Sequence, residues 1–158
     1  MKIRVKDILS FAGRDYIVEG TVSYQMNGKG SVFARAVDGD AELLIETPRD
    51  DGGDAAGATA AVGDRLLVLR EIRDLEINVP PPESIAYHDV TYVRRLTGRA
   101  SVEIAGDVPD RSPGPTEIWR YRAAGDLFLQ IEQSGGRVFM MAGESVHRGM
   151  LDVLPGGR

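Results

Sequence analysis

The sequence contains no cysteine, and this absence excludes disulfide bonds, thiolate nucleophiles and every zinc or iron–sulfur site built on cysteine. Histidine is also scarce. His88 and His147 are the only two, and they lack the spacing of a zinc-binding motif, so we predict no metal site. No segment approaches the roughly 20 apolar residues of a membrane-spanning helix. The amino terminus alternates charged and apolar residues, unlike a secretory signal. These absences predict a cytoplasmic protein without a transmembrane segment.

Basic residues are outnumbered, since 19 lysines and arginines face 24 aspartates and glutamates and give a formal net charge of -5. Nucleic-acid binding needs a concentrated positive surface, so nucleic acid is not predicted as a partner. What the sequence does contain is 42% hydrophobic residues, together with 19 glycines and 8 prolines in 158 residues. This composition is typical of a folded domain with many turns, and the length suits one domain.

Short apolar segments with a period of two dominate the sequence, which is the pattern of β-strands. The Asn27-Gly28 pair between two such segments predicts a type I′ hairpin, because both central residues of that turn need a positive φ. Residues 65–77 leave two alternatives open, since their leucines and isoleucines fit a strand or a helix. A short helical turn near Glu144–His147 is a further option. The predicted strands cover residues 16–24, 31–37, 41–46, 65–72, 75–79, 85–87, 91–93, 99–104, 117–122, 127–132 and 137–141.

The resulting fold prediction is a mainly β protein of about a dozen short antiparallel strands, in two similar halves, that form a barrel-like or two-sheet single domain with little helix. The two halves are residues 1–79 and residues 83–155, and a proline-rich connector joins them. Segments 39–46 and 125–132 both read Gly-Asp-x-x-Leu-x-Ile-Glu. This repeat predicts an internal duplication with a pseudo-twofold axis. Residues 48–63 lack large apolar side chains, so we expect a mobile surface loop there.

The duplication places Glu46 and Glu132 at equivalent strand ends, which makes them the best candidates for ligand-binding residues. Two convergent carboxylates could hold the ammonium groups of a polyamine-like cation on the pseudo-twofold axis. The competing interpretation is that each carboxylate pairs with a nearby arginine or faces water. No catalytic residue and no cofactor are predicted, because the sequence lacks a nucleophile elbow, a phosphate-binding loop and the other motifs of catalytic sites.

The segment Trp119-Arg120-Tyr121-Arg122 alternates aromatic and basic residues. On a strand, this alternation places the aromatic side chains on one face and the arginines on the other. We predict buried aromatics beneath an arginine-lined outer face. An exposed platform on which nucleic-acid bases stack is the alternative.

A set of glycines, aromatic residues and aliphatic residues resembles the motif string of the bacterial domain-of-unknown-function family 4178, and both halves of the chain contribute to it. The motif residues are Phe11, Gly13, Arg14, Tyr16, Val18, Gly20, Tyr24, Leu127, Leu129, Ile131, Glu132, Gly143, Glu144, Ser145 and Val146. The family has no established activity. Its members look like companions of polyamine-synthase-like enzymes, small membrane proteins and membrane-stress proteins, so the resemblance implies an accessory role.

We therefore expect a non-catalytic binding or accessory module that supports a protein partner in a bacterial membrane-stress or polyamine-related system. The alternative is a protein that binds a small polyamine-like cation, or an unrecognised enzyme, with a site between the two halves. Peripheral membrane association and assembly into a homo-oligomer both stay open.

Overall fold

The computed structural model describes residues 2–47 and 64–156. The predicted mobile loop 48–63 therefore lies outside the described residues. The strands of the described part are β1 Ile8–Phe11, β2 Arg14–Met26, β3 Lys29–Asp38, β4 Ala41–Thr47, β5 Arg65–Glu71, β6 Ser84–Tyr87, β7 Val90–Gly106, β8 Gly114–Ala123, β9 Leu127–Ser134, β10 Arg137–His147 and β11 Leu151–Leu154. A 3₁₀ turn covers Arg148–Met150. Within the described ranges, no helix has the length and hydropathy needed to cross a membrane.

Eight of these strands form a closed antiparallel barrel. Their order around the barrel is β2-β3-β4-β5-β10-β9-β8-β7, and the pairing of β7 with β2 closes the ring. Strands β1 and β11 continue the sheet beyond β2, and β6 continues it beyond β7. The predicted mainly β single domain with little helix is confirmed. Of the two predicted arrangements, the barrel is the one observed.

The longest strands, β2 and β7, have 13 and 17 residues, whereas short strands were predicted. The reason is that each takes part in three pairings. One edge pairs with the next barrel strand, β3 or β8. The other edge pairs in one part with the flanking strand β1 or β6, and in another part it closes the barrel. The register shifts between Val18 and Gly20 on β2, and between Arg94 and Leu96 on β7. Such a bulge bends a strand. The predicted strands 91–93 and 99–104 are consequently parts of one bent strand.

The two halves of the chain follow the same strand order. Strands β2 to β5 form one four-stranded meander and β7 to β10 form another, and the β2–β7 and β5–β10 pairings join them. This is the arrangement that an internal duplication would produce, and the duplication itself stays a prediction. The structure differs from the sequence analysis at residues 75–79, which form no strand. Leu75, Ile77 and Val79 of this irregular chain pack against a cluster of buried residues from β6, β7, β8 and β9.

Three apolar clusters fill the molecule, one inside the barrel and two against its outer wall. The interior cluster includes Val22, Phe33, Leu44, Leu69 and Phe128. The first outer cluster lies beneath β1 and β11, and the second lies beneath β6 and the irregular chain after β5. Both faces of the barrel wall are therefore buried over much of its circumference. Strands buried on both faces lose the alternation of apolar and polar residues. For this reason the sequence of residues 65–77 fits both a strand and a helix. The structure has a strand at residues 65–71.

Two turns bear directly on the predictions. Asn27 and Gly28 have φ values of 53° and 76°, so the predicted hairpin with two positive φ values is confirmed. The helical turn near Glu144–His147 is wrong, because β10 extends through His147 to keep its pairing with β5. The 3₁₀ turn begins at the following residue.

Glycines occupy the crossing where the barrel closes. Gly20 on β2 pairs with Gly106 on β7. A Cβ atom on Gly20 would lie 2.5 Å from the Asp107 carbonyl oxygen, and one on Gly106 would lie 2.4 Å from the Glu19 carbonyl oxygen. Because neither position has room for a side chain, the close approach of the two long strands requires glycine on both.

Candidate functional site

Glu46 and Glu132, the predicted ligand-binding pair, both lie inside the barrel. Successive residues of a strand face opposite sides of the sheet. On β4, Ile45 belongs to the first outer cluster and Leu44 to the interior cluster, so Glu46 points inward. Glu132 on β9 points inward for the same reason. Their exposed fractions are only 1% and 2%.

Arg120 on β8 neutralises Glu46. Its Nη1 donates to Glu46 Oε1 at 3.1 Å and its Nη2 donates to Glu46 Oε2 at 2.7 Å. This is the bidentate geometry in which a guanidinium and a carboxylate bind most strongly. The pair is buried, since Arg120 is 5% exposed.

The burial of Arg120 corrects the prediction of an arginine-lined outer face. The aromatic half of that prediction holds, because Trp119 and Tyr121 are buried in the second outer cluster. Arg122 is exposed, at the end of the strand. Arg120 instead points into the barrel, because both faces of β8 are covered at that position and Glu46 supplies a buried counter-charge.

Arg111 and Tyr24 hold the second carboxylate. The Tyr24 hydroxyl donates to Glu132 Oε2 at 2.7 Å. Nη2 of Arg111 donates both to the Tyr24 hydroxyl and to Glu132 Oε1. Arg111 comes from the segment 107–113 between β7 and β8, and its side chain is 6% exposed.

Gln130 joins the two ion pairs into one network. Its Oε1 accepts from Arg120 Nε at 2.7 Å, and its Nε2 donates to Glu132 Oε2 at 2.6 Å. The predicted pair Glu46 and Glu132 is thus brought into one connected cluster with two arginines. The cluster carries no net charge, and each carboxylate is engaged by an arginine, so a cation could reach either one only by displacing that arginine.

Burial and charge shift the pKa values of this network in defined directions. Burial alone would lower the pKa of the Arg120 guanidinium, but the charge and hydrogen bonds of Glu46 outweigh it and raise that pKa. Arg111 follows the same logic, with Tyr24 and Glu132 raising its pKa. Burial raises the pKa of Tyr24 well above its usual value, and the negative charge of Glu132 raises it further. Both arginines therefore stay charged and Tyr24 stays a neutral donor.

The Tyr24 shift predicts a loss of stability in alkali. The unfolded chain releases the phenolic proton near pH 10, whereas folded Tyr24 holds it to higher pH. The free energy of unfolding should therefore fall as pH rises above about 10, by up to about 1.4 kcal/mol per pH unit from this group. Urea unfolding of the wild type and of Tyr24→Phe between about pH 8 and 11 measures it. The variant is expected to show a shallower decline, and parallel declines would contradict the assignment.

The segment 107–113 closes one end of the barrel. Val108 belongs to the interior cluster, and Cζ of Arg111 lies 4.4 Å from the centre of the Phe139 ring. A cleft of about 140 Å³ opens beside this segment, with Leu44, Val108 and Phe139 as its apolar wall.

Sequence reasoning missed three members of the network: Tyr24, Arg111 and Gln130. Gln130 could have been found, because it precedes Glu132 by two residues on a strand and so shares its face. Arg111 lies in a segment rich in proline and glycine, where no periodicity indicates direction. Its partner Tyr24 is distant in sequence, and only the closed barrel brings the two together.

The two histidines have partners on the surface. His88 Nε2 lies 2.7 Å from Asp74 Oδ2, and the Tyr87 hydroxyl donates to Asp74 at 2.6 Å. His147 accepts from the Gly149 backbone N–H at 2.9 Å and so caps the 3₁₀ turn. In residues 2–47 and 64–156, no three side chains of the metal-binding types come together.

A stripe of apolar side chains crosses β11, β1, β2 and β3 on the face opposite the first outer cluster. Leu154 pairs with Ile8, Ile8 pairs with Ile17, and Ile17 pairs with Val37. Directly opposed residues lie on the same face about 5 Å apart, so the four form one continuous row, which we call the apolar stripe. Ile17 and Leu154 are 54% and 55% exposed. The opposite face of β11, β1 and β2 is buried in the first outer cluster.

Together, the fold and its core define a class of protein: a closed eight-stranded antiparallel barrel whose interior is filled by apolar side chains and a neutral network of ion pairs. A comparison with protein families makes this specific. The model of the family described as Domain of unknown function (DUF4178) matches residues 4–148, so the chain belongs to that family, and the predicted family is confirmed. Searches of curated proteins and of solved structures found no match.

Proposed function

We propose that this chain is a non-catalytic binding or accessory module that holds a protein partner on the apolar stripe, in a bacterial membrane-stress or polyamine-related system. The observation that carries the proposal is the row of Leu154, Ile8, Ile17 and Val37 on the solvent side of a sheet layer. Ile17 and Leu154 in this row are exposed, and Ile8 and Val37 are half-buried. Contiguous apolar surface marks interaction sites more often than scattered apolar residues do.

The apolar stripe lies on a sheet layer whose other face is buried in the core. The inward side chains of this layer, including Leu9, Tyr16 and Leu151, are buried. Its outward residues are therefore free to serve a partner without weakening the core. The sheet spacing makes the stripe about 15 Å long, which is enough for one amphipathic segment of another protein.

The free edges of the sheet are less suited to a partner than this face. The outermost strands β6 and β11 have four residues each. Pro80–Pro82 precede β6 and Pro155 follows β11. Short edges bounded by proline resist the addition of another strand, so we assign the partner to the face.

Acidic side chains next to the stripe set the chemistry of the partner. Asp152 pairs with Ser10, and Ser10 pairs with Asp15, in a row that runs parallel to the stripe on the same face. The partner surface that fits is one of apolar residues flanked by lysine or arginine. Such a pairing gains apolar burial at the stripe and charge complementarity along its border.

The arrangement of the interior supports a non-catalytic role. Acid–base catalysis by two carboxylates needs environments that push their pKa values apart at a reachable site. Glu46 and Glu132 are instead buried and each is bound by an arginine. The alternative of a polyamine-like ligand at these residues stays a prediction, in which the cation must replace Arg120 or Arg111.

Replacing Ile17 with glutamate should abolish partner binding and leave the fold intact, because the side chain is exposed and a charge there opposes an apolar contact. Photo-crosslinking from position 17 in native cells, compared with crosslinking from Val93, measures this. Val93 is a matched control, since it is a β-branched residue on a paired strand with an exposed fraction of 45%. The expected result is a protein that is captured from position 17 and that no longer co-purifies with an Ile17→Glu/Leu154→Glu variant.

Two results would overturn the proposal. One is the same set of captured proteins from positions 17 and 93. The other is retention of the captured protein by the double variant after its circular dichroism spectrum has shown it to be folded. Capture of a second copy of this chain would assign the stripe to a homo-oligomer and would exclude a separate protein partner.

A further inference from the structure

The cleft beside the segment 107–113 has the parts of a small-molecule site. It opens at the end of the barrel and has a volume of about 140 Å³. One wall is apolar, formed by Leu44, Val108 and Phe139. Three arginines and three carboxylates also line the cleft: Arg35, Arg73, Arg111, Glu42, Glu71 and Asp110. Arg35 is paired with Glu42 and Arg73 with Glu71, so Arg111 is the lining arginine considered as a ligand contact. Apolar walls with a few convergent polar groups are typical of ligand sites.

Arg111 lines this cleft and has an unused hydrogen-bond donor buried beneath its surface. Its Nη2 is bonded to Tyr24 and Glu132, but its Nη1 is the one fully buried side-chain nitrogen or oxygen in the described ranges that lacks a partner. Buried polar atoms almost always have partners, and leaving one without a partner is costly. The fold therefore maintains a charged donor with spare capacity next to a cavity.

The guanidinium of Arg111 is held in position for such a role. Its Cζ lies 4.4 Å from the centre of the Phe139 ring and 5.8 Å from that of Tyr24. Glu132 fixes its other side. Because the group is already ordered, a ligand loses little entropy in engaging it.

We propose that this cleft binds a small molecule that carries a carboxylate on a short aliphatic chain, with the carboxylate on Arg111. The ligand carboxylate accepts from Nη1, while Nη2 stays bonded to Tyr24 and Glu132. The aliphatic part of the ligand lies against Leu44, Val108 and Phe139. The volume of the cleft limits the chain to a few carbon atoms. This inference rests on the cleft alone and is independent of the apolar stripe.

The segment 107–113 provides access to the shielded nitrogen. Pro109, Asp110, Ser112 and Pro113 are exposed. Val108 and Arg111 are the buried anchors of the segment, and Asp110 forms exposed ion pairs with Arg73 and Arg137. A small displacement of these exposed residues lets the carboxylate reach Nη1. Arg111 keeps its bonds to Tyr24 and Glu132 during this displacement.

The test is a titration of the folded, isotope-labelled chain with millimolar butyrate, followed by amide chemical shifts. Saturable shifts at Val108, Arg111 and Phe139 are expected. Butylamine has the same carbon chain with the opposite charge and should give no such shifts. Inorganic phosphate tests whether any anion suffices. Butyrate shifts that do not cluster at these residues, or an equal response to butylamine or phosphate, would overturn the proposal.

Variants assign the binding to Arg111. Arg111→Lys keeps a positive charge for Glu132 but loses the second terminal nitrogen, so butyrate binding should weaken about tenfold or more. Phe139→Leu is the second variant, and should weaken binding through loss of the aromatic support if the lysine variant does not fold. Arg99→Gln is the control, because Arg99 forms an exposed ion pair with Glu117. Unchanged affinity in Phe139→Leu or in folded Arg111→Lys would refute the assignment.

Failure of this experiment is distinct from failure of the proposed function. The Ile17→Glu variant should bind butyrate as the wild type does, and Arg111→Lys should retain the captured partner. A loss of butyrate binding in Ile17→Glu would show that the cleft and the apolar stripe are coupled, and would contradict their independence.

Discussion

Replacing Glu46 with leucine is expected to lower the free energy of unfolding by about 3–5 kcal/mol. The substitution leaves the Arg120 guanidinium inside the barrel without its bidentate carboxylate. The volume of the side chain is nearly kept, so the loss reports an uncompensated buried charge and not a cavity. Urea unfolding followed by tryptophan fluorescence measures it, since Trp119 lies next to Arg120 in a buried position.

A double-variant cycle separates the charge from the packing. Arg120→Met in the Glu46→Leu background removes the stranded charge, and buried ion pairs replaced by apolar residues are often neutral in stability. We expect the double variant to regain most of the lost stability, with a coupling energy of about 2 kcal/mol or more. Glu117→Gln is the matched control, because it breaks an exposed pair with Arg99 and should cost less than about 1 kcal/mol. If the effects of Glu46→Leu and Arg120→Met on the free energy of unfolding are additive, the two side chains do not form a buried ion pair.

Gly143→Ala should be the most damaging single-methyl change, with an expected loss of at least about 3 kcal/mol. Gly143 on β10 pairs with Leu69 on β5, at one of the two joints between the meanders. A Cβ atom there would lie 1.9 Å from the Val68 carbonyl oxygen and 2.7 Å from the Leu69 Cα atom. Because both obstacles are backbone atoms, the two strands must separate to admit the methyl group.

Gly136→Ala is the control for this change. Gly136 lies in the turn between β9 and β10, and a Cβ atom there has nothing within 4 Å. Its thermal unfolding midpoint should match that of the wild type, since surface changes of this kind stay within about 0.5 kcal/mol. If Gly143→Ala unfolds at the same temperature as Gly136→Ala, the close contact between β5 and β10 is wrong.

The strands could be predicted where one face of the sheet is buried and the other is exposed or half-buried. In β2, buried residues such as Tyr16 and Val22 alternate with exposed or half-buried ones, and the period of two is visible in the sequence. In β5, Leu66 and Val68 face the first outer cluster while Leu67 and Leu69 face the interior. With both faces apolar the period disappears, so local pattern could not separate strand from helix.

The two carboxylates of the candidate site could be predicted from the sequence, but the arginines that neutralise them could not. The repeat of Gly-Asp-x-x-Leu-x-Ile-Glu picked out Glu46 and Glu132, and the structure brings both into one network. The direction of Arg120 was not predictable, because its partner Glu46 is 74 residues away in sequence. Alternation assigns a residue to a face, but only the closure of the barrel decides whether that face meets water.

The pairing of β1 with β11 has a consequence for how the chain folds. Ile8 pairs with Leu154, so a strand from the first residues of the described chain is held by a strand from the last. Contacts between distant residues form slowly, because the loop entropy must be lost before they stabilise anything. During synthesis, the layer that carries the apolar stripe therefore completes only after the barrel strands have been made, and the stripe exists as a surface only on the finished fold.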